Sequence, residues 1–305
     1  MKPRHLLLAA AVLAIAGCAT GGHPAPPELT ARALAEVRDA RVVSSAVGER
    51  PRIGLVLGGG GLRGFAHVGA LRALEEAGIR PDIVVGTSAG SVVGAAYASG
   101  LSVARIEQAA LEVKVASLLD FTWRSGGIIE GNHLAGWAGS VTGGMPIESF
   151  PIRFAAVATD LQSGQPLLID TGSAGRAIQA SSAVPGVNVP VAYAQGHLID
   201  GGITSLVPVR FARAMGADVV IAIDIYCRSP RVAGMSIPSV IGQVMQTQSC
   251  LVAAPEMAEA DLLIAPITAA PGMSAQAEKE RSIEAGYQAA REALRRWHAS
   301  AAADA

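Results

Sequence analysis

Charged side chains are scarce in this sequence. Asp, Glu, Lys and Arg make up 16% of its 305 residues, whereas an ordinary soluble domain carries about 25%. Hydrophobic residues make up 50%, which argues against a disordered chain or a solvated adaptor and favours a well-buried core. The net charge of −1 and the lack of a Lys/Arg cluster also argue against a nucleic-acid partner.

Cysteine is rare as well, and no group of His, Cys, Asp and Glu has the spacing of metal ligands. The sequence therefore predicts no metal ion and no other cofactor. Apart from Cys18, the cysteines are Cys227 and Cys250. In an oxidising compartment these two can form a disulfide, but two buried free thiols are at least as consistent with the sequence.

The apolar run Leu6–Ala16 is too short for a transmembrane helix, which needs roughly 20 residues. It follows a basic start, so residues 1–17 are predicted to form a signal peptide. Ile15-Ala16-Gly17-Cys18 resembles the bacterial lipobox, whose cysteine is diacylated and becomes the mature N-terminus. The alternative is an ordinary secretory signal with an incidental cysteine. Two acyl chains on Cys18 would anchor the protein stably in a membrane.

The residue after Cys18 indicates in which membrane a lipoprotein of this kind would reside. Ala19 stands where an inner-membrane retention signal usually carries Asp. By resemblance to enterobacterial sorting, this predicts an outer-membrane lipoprotein of the bacterial cell envelope that faces the periplasm. Residues 18–50 are expected to be the lipidated N-terminus and a tether with room for one helix. The folded domain is expected at 51–298.

Within that domain, short apolar runs alternate with amphipathic segments. The alternation predicts an α/β fold with a mostly parallel sheet covered on both faces. The predicted strands are 53–57, 82–85, 152–158, 167–170, 197–199, 219–224 and 262–265. The predicted helices are 65–77 and 89–99, with others near 103–117, 174–182, 237–251 and 275–298.

The pentapeptide Gly86-Thr87-Ser88-Ala89-Gly90 has the Gly-x-Ser-x-Gly form of a nucleophile elbow. Such an elbow places its serine on a sharp turn between a strand and a helix. The flanking Gly86 and Gly90 allow strand and helix to approach closely, and the helix N-terminus adds positive potential. Ser88 is therefore the candidate nucleophile of a serine hydrolase, and a Gly/Ser-rich strand–helix turn is the alternative.

A second motif, Gly58-Gly59-Gly60-Gly61-Leu62-Arg63-Gly64, follows the preceding strand. Backbone N–H groups of such a loop can stabilise the oxyanion that forms during acyl transfer. Both turns follow successive parallel strands, so they are expected at the same edge of the sheet. The glycines also match a dinucleotide fingerprint, but the second strand lacks the acidic end that a ribose needs, and Arg63-Gly64 excludes a Walker A loop.

Histidine is too sparse to complete an ordinary catalytic triad. Of the six histidines, two precede the domain and one lies at the end of the last helix. His67, His133 and His197 do not stand where a triad base is expected. Asp200 ends a predicted strand and enters the turn Gly201-Gly202, which can present a carboxylate at the sheet edge. An ordinary Asp-Gly turn is the alternative.

These motifs together resemble the patatin-like phospholipase family. The glycine-rich loop with Arg63, the elbow and the Asp-Gly-Gly turn occur in that family's order, and the stretch 181–185 looks like its Ser-x-Ala-x-Pro block. The resemblance covers about residues 52–225. It implies a three-layer α/β/α fold and a Ser-Asp dyad without histidine, with Ser88 as nucleophile and Asp200 as base.

The other loop residues receive supporting roles. Gly59, Gly60 and Gly61 are expected to supply N–H groups to the oxyanion. Arg63 is expected either to assist or to fix the loop, and a plain surface salt bridge is an equal alternative. Asp160 and Asp224 are weaker candidates at strand ends. Trp123, Ile128 and Ile129 belong to an irregular apolar stretch. These side chains are expected mainly in the core, although they could line an acyl pocket.

The leading hypothesis is hydrolysis of acyl esters in membrane lipids, by a phospholipase A, a lysophospholipase or a broader esterase. The lipid anchor would bring the enzyme to a phospholipid or other acyl-ester substrate. The alternative is a catalytically silent envelope lipoprotein that uses the fold for binding or regulation. The sequence leaves the oligomeric state open.

Overall fold

The structure, a computed structural model, describes residues 29–39, 50–123, 126–231, 233–272 and 275–303. The predicted signal peptide and Cys18 lie outside these residues. Within the described part of the chain, no helix combines the length and the apolar character needed to cross a membrane.

A nine-stranded sheet forms the centre of the described chain. Its main path runs in the order β1-β5-β4-β3-β2-β8-β9, and β7 joins β4 to β6. β4, β3, β2, β8 and β9 are mutually parallel, whereas the pairs that involve β1, β5, β6 and β7 are antiparallel. The strands are β1 (Arg32–Ala33), β2 (Ile53–Leu57), β3 (Ile83–Thr87), β4 (Arg153–Asp160), β5 (Pro166–Ile169), β6 (Val191–Tyr193), β7 (Gly196–Asp200), β8 (Val219–Ile223) and β9 (Leu262–Ile264).

Helices cover both faces of this sheet. The helices are α1 (Leu34–Asp39), α2 (Phe65–Glu76), α3 (Ala89–Ala98), α4 (Val103–Glu112), α5 (Asn132–Val141), α6 (Ala174–Ser181), α7 (Val209–Ala214), α8 (Ile237–Met257) and α9 (Gln276–Ala303). Leu55 and Leu57 of β2 pack with α2, α3 and α9, whereas Val56 packs on the opposite face with α1 and α7. The period of two along a strand thus divides the core into two layers. The predicted three-layer α/β/α architecture is confirmed.

Every predicted strand and helix is present, with differences at the ends. The predicted helix near 103–117 ends at Glu112 and is followed by a 3-10 turn, Val115–Leu118. The sequence predictions do not include β1, β6, α5 or α7. α7 is short and buried on most sides, and α5 has glycines and small residues, so neither shows a clear amphipathic period.

The tether predicted at 18–50 differs from the structure over residues 29–39. β1 pairs with β5, and α1 packs against α7 and β5. Leu29 and Val37 are buried in the core. The domain boundary at residue 51 is therefore too late, because these apolar side chains belong to the fold and not to a solvated linker.

Cys227 and Cys250 form a disulfide, with their Cα atoms 5.4 Å apart. Cys227 follows β8, and Cys250 lies on α8, so the bond joins the segment after the strand to that helix. This resolves the alternative that the sequence left open. A disulfide of this kind persists in an oxidising compartment.

Replacing both cysteines by alanine should lower the free energy of unfolding by about 3 kcal/mol, because the crosslink restricts the unfolded chain. Urea denaturation without reductant measures this loss, and wild-type protein with reductant should behave like the variant. A Cys18→Ser variant is the control and should match wild type. Equal stability of wild type and the double variant would contradict the disulfide.

Candidate active site

The two central residues of the site meet because two strands share one edge of β4. Thr87, the last residue of β3, lies opposite Val157. β5 occupies the other edge, so β7 arrives antiparallel along the same edge as β3, with Asp200 opposite Ala158. Ser88 and Asp200 therefore stand beside neighbouring positions of β4, although 112 residues separate them in sequence.

Ser88 adopts the backbone conformation of a nucleophile elbow. Its φ of 52° makes it the one non-glycine residue with a positive φ in the described chain. It precedes α3, and its side chain does not cap that helix, so the hydroxyl remains available. A Cβ at Gly90 would overlap the Leu57 carbonyl oxygen, and one at Gly86 would meet the backbone of Gly90. The elbow can therefore form only with glycine at these two positions.

Ser181 supports the elbow from α6. The Ser181 hydroxyl accepts a hydrogen bond from the Ser88 backbone N–H at 2.8 Å and donates one to the Val157 carbonyl oxygen at 2.6 Å. The sequence had placed Ser181 in a family-like block but had not assigned it this role. Because the Ser88 N–H is engaged, the donors for an oxyanion have to come from elsewhere.

Asp200 is held on every side by hydrogen bonds. Its Oδ2 accepts from the Ser88 hydroxyl at 2.7 Å, and its Oδ1 accepts from the Gly202 N–H at 2.7 Å. Its backbone N–H donates to the Ala183 carbonyl oxygen, and its own carbonyl oxygen accepts from the Thr159 hydroxyl. Gly201 lies against the Val157 carbonyl oxygen, where a Cβ would overlap it. The Asp-Gly-Gly turn thus fixes the carboxylate against Ser88.

Burial makes Asp200 a stronger base than an exposed aspartate. Desolvation raises its pKa to about 6, and the hydrogen bonds from Ser88 and Gly202 oppose this rise. At neutral pH the group is therefore ionised, yet its pKa lies closer to that of a useful general base than the ordinary value of about 3.9.

The glycine-rich loop differs in one respect from the prediction. The Gly59 N–H donates to the Leu206 carbonyl oxygen at 3.0 Å, so it is not free to bind an oxyanion. The Gly60 and Gly61 N–H groups have no partner among the described residues, and both glycines line the cleft beside Ser88. Gly64 packs against Ala89, which joins the loop to the elbow.

Arg63 is buried, so the surface salt bridge is the wrong alternative. Only 5% of the residue is exposed. Its guanidinium donates to the Pro230 carbonyl oxygen at 2.8 Å and lies 5.3 Å from the centre of the Tyr226 ring. Arg63 thereby ties the glycine-rich loop to the segment after β8.

No histidine of the described residues forms a hydrogen bond with Ser88 or Asp200. His67 Nε2 lies 2.8 Å from the Gly58 carbonyl oxygen, and because a carbonyl only accepts, this nitrogen carries the proton. Burial lowers the pKa of His67 to about 4, so the ring is neutral and holds the base of the loop. His197 and His133 are exposed. Their positions confirm that neither contacts Ser88 or Asp200.

Ser88 and Asp200 lie in a cleft of about 260 Å³. Apolar side chains form much of its wall: Leu62, Val184, Ile203, Leu206 and Met245. Met245 and Ser249 come from α8, which sequence analysis had not connected with the site. A cleft with apolar walls and a few polar groups suits an acyl substrate.

The weaker candidates lie elsewhere. Asp160 accepts hydrogen bonds from the Tyr193 hydroxyl and the Ser163 N–H. Asp224 accepts from the backbone N–H groups of Tyr226 and Cys227, so both carboxylates stabilise turns. Trp123 is 98% exposed and Ile128 is 50% exposed, which corrects their expected core position; Ile129 is buried. In the described residues, no three His, Cys, Asp or Glu side chains could hold a metal ion together.

Several known proteins are similar to parts of this chain. An uncharacterized NTE-family protein of Mycobacterium bovis is 35% identical over 181 residues, which are 57% of this chain and 49% of that protein. Lysophospholipase nte1 of Aspergillus fumigatus is 35% identical over 179 residues, 57% of this chain and 12% of the relative. Patatin-like phospholipase domain-containing protein 6 of Mus musculus is 38% identical over 181 residues, 57% of this chain and 13% of the relative. The chain thus spans about half the length of the first relative and a small part of the other two.

The crystal structure of VipD from Legionella pneumophila is similar in fold, with a TM-score of 0.55, 14% identity, and coverage of 85% of this chain and 72% of VipD. The sequence profile of patatin-like phospholipases matches residues 55–213, more than half of the chain. That range contains the glycine-rich loop, the elbow with Ser88 and the turn after Asp200. The chain therefore belongs to the patatin-like phospholipase family.

Proposed function

We propose that this protein is a serine acyl hydrolase that cleaves acyl esters of membrane lipids, with Ser88 as nucleophile and Asp200 as base. The observation that carries the proposal is the 2.7 Å hydrogen bond from the Ser88 hydroxyl to Asp200 inside an apolar cleft. The family to which the chain belongs, and the lysophospholipase name of one relative, support a lipid ester as substrate.

The first half of the reaction forms an acyl-enzyme. Asp200 accepts the hydroxyl proton as the Ser88 oxygen attacks the ester carbonyl carbon. The charge that develops on the carbonyl oxygen is stabilised by the Gly60 and Gly61 N–H groups. When the tetrahedral intermediate collapses, the bond to the leaving alcohol breaks, and that alcohol takes the proton from Asp200.

The second half releases the fatty acid. Water attacks the acyl-enzyme and gives its proton to Asp200, and the same N–H groups stabilise the second oxyanion. The bond to the Ser88 oxygen then breaks, and Asp200 returns the proton to that oxygen. One water is consumed, and one acid and one alcohol are formed, so no cofactor is required.

The location proposed for the enzyme is the bacterial cell envelope, with a diacylated Cys18 in the outer membrane and the domain in the periplasm. The lipobox-like sequence supports this proposal, and the Cys227–Cys250 disulfide is consistent with an oxidising compartment. Metabolic labelling with palmitate tests it, since wild type should incorporate label and a Cys18→Ser variant should not.

Ser88→Ala and Asp200→Asn should each lower kcat for a short-chain ester by about 10⁴-fold, because each removes one half of a unit that acts together. His197→Ala, which changes an exposed residue of the same strand as Asp200, is the matched control and should retain wild-type kcat. A fluorophosphonate probe should label wild type and His197→Ala but not Ser88→Ala.

Thermal unfolding separates loss of chemistry from loss of fold. Asp200→Asn should be at least as stable as wild type at neutral pH, because it removes a desolvated carboxylate whose pKa is raised in the folded state. If wild type is neither active nor labelled, the protein is a catalytically silent lipoprotein and the proposed function is wrong. If His197→Ala loses activity while folded, the dyad assignment fails.

The activity should depend on pH through Asp200. Only the carboxylate form accepts the serine proton, and its pKa is about 6. With a neutral short-chain ester, kcat/KM should be level at higher pH and should fall about tenfold per pH unit below that pKa. A profile that stays level down to the ordinary aspartate pKa of about 3.9 would contradict the assignment of a desolvated base.

A further inference from the structure

α8 presents apolar side chains to solvent on the side that faces away from the sheet. Its exposed residues recur with a helical period, and Ile237 and Leu251 are 77% and 71% exposed. The outward apolar face, as we call it, consists of Ile237, Val240, Ile241, Val244, Leu251 and Val252. Gln248 is also exposed and separates Val244 from Leu251 on this face. Single exposed apolar residues are ordinary, but six on one side of one helix indicate a contact surface.

The inward side of α8 is unusually polar. Gln246 is buried and donates to the carbonyl oxygens of Tyr226 and Ser229. Glu256 is buried and accepts from the Arg210 guanidinium and the Ser205 hydroxyl. These bonds fix the rotation of the helix about its axis, so the apolar face is held outward by the fold itself.

The same helix forms part of the active-site wall. Met245 and Ser249 line the cleft that holds Ser88, and Met245 directly follows Val244 of the outward apolar face. A second patch of exposed apolar side chains lies beside another wall of the cleft. This patch consists of Phe121, Trp123, Ile128 and Val187. Val187 donates its N–H to the carbonyl oxygen of Val184, which lines the cleft.

The charges around α8 match a phospholipid layer. Residues 233–255 contain no Asp, Glu, Lys or Arg, so the helix can enter an interfacial region without desolvating a charge. Arg228 and Arg231 are exposed just before the helix, and Arg231 donates to the Thr247 hydroxyl of α8. These cations are placed to meet lipid phosphates, and an exposed Trp123 is typical of a membrane–water interface.

From this placement we infer that the outward apolar face of α8 inserts into a phospholipid layer, so that an acyl chain enters the Ser88 cleft past Met245. Entry of an acyl chain into the Ser88 cleft rests on the proposed acyl hydrolase function. Insertion of the α8 face into lipid does not require catalysis. It adds to the predicted Cys18 anchor a surface that orients the cleft toward the membrane.

The contact can be measured locally in the full chain. Ile241→Cys, in a Cys18→Ser and Ser88→Ala background, is labelled with an environment-sensitive fluorophore and mixed with phosphatidylcholine vesicles. Leu161→Cys is the matched control, because Leu161 is 47% exposed, Ile241 is 52% exposed, and Leu161 lies outside both apolar patches. The emission should shift to the blue on adding vesicles at position 241 and stay unchanged at position 161.

The effect of the outward apolar face on activity is tested by comparing hydrolysis of vesicle phospholipid with hydrolysis of a soluble ester. The triple variant Ile237→Gln, Ile241→Gln, Val244→Gln, otherwise wild type, should hydrolyse vesicle phospholipid at least about tenfold more slowly, because a loss of about 1.4 kcal/mol in lipid contact gives that factor. It should hydrolyse a soluble short-chain ester at the wild-type rate. Leu161→Gln should match wild type on both substrates.

The possible outcomes separate this inference from the proposed function. Equal shifts at positions 241 and 161, or none at 241, would overturn the lipid surface even if the enzyme is active. A blue-shifted label at 241 without vesicles that reverts on dilution would show that a second copy covers the face, which also overturns it. A vesicle-dependent shift at position 241, found together with wild-type protein that hydrolyses neither vesicle phospholipid nor the soluble ester, would support the surface and refute the hydrolase.

Discussion

The site depends on the way one edge of β4 is shared. β3 pairs with this edge as far as Val157 and then turns away at Ser88, because the elbow cannot continue as a strand. The vacated positions are taken by β7, which ends with Asp200 opposite Ala158. A one-residue slip of β7 would turn the Asp200 side chain to the other face of the sheet and separate it from Ser88. Strand register is therefore the main determinant of the contact between Ser88 and Asp200.

The two buried acids near the site show how the fold assigns different roles to similar groups. Glu256 forms an ion pair with the Arg210 guanidinium, with 3.1 Å between the nitrogen and the oxygen. Asp200 receives only neutral hydrogen-bond donors, Ser88 and Gly202, so its charge remains poorly solvated and its pKa is raised. Burial thus keeps Asp200 more basic than an exposed aspartate at the expense of stability, and raised pKa values of this kind cluster at functional sites.

Much of this arrangement could be predicted from the sequence because it depends on local signals. Apolar runs predict the parallel strands, and a glycine on each side of Ser88 marks the elbow. A Cβ at Gly90 would overlap Leu57, and one at Gly86 would overlap the backbone of Gly90. The histidine count directed attention to Asp200. The apolar runs and the elbow glycines are each contained in a short stretch of sequence. In such a stretch, side-chain size and backbone conformation determine the local structure.

Other features could not be predicted because they depend on distant partners. The Gly59 N–H is occupied by the Leu206 carbonyl oxygen, and Arg63 is buried against Tyr226; both partners lie more than a hundred residues away. The sequence predicts a helix near 237–251, but it does not say which side of that helix faces the sheet and which faces the solvent. The buried bonds of Gln246 and Glu256 decide that question.

The disulfide connects these distant features into one unit. Cys227 lies beside Tyr226, which stacks on Arg63 of the glycine-rich loop, and Cys250 follows Ser249, a cleft residue of α8. Gln246 adds hydrogen bonds between α8 and the same segment. Covalent and hydrogen bonds therefore join α8 through the segment after β8 to the loop whose Gly60 and Gly61 N–H groups have no partner among the described residues. Helix α8 and the glycine-rich loop thus share the segment after β8 as their common support, because both contact it through buried side chains.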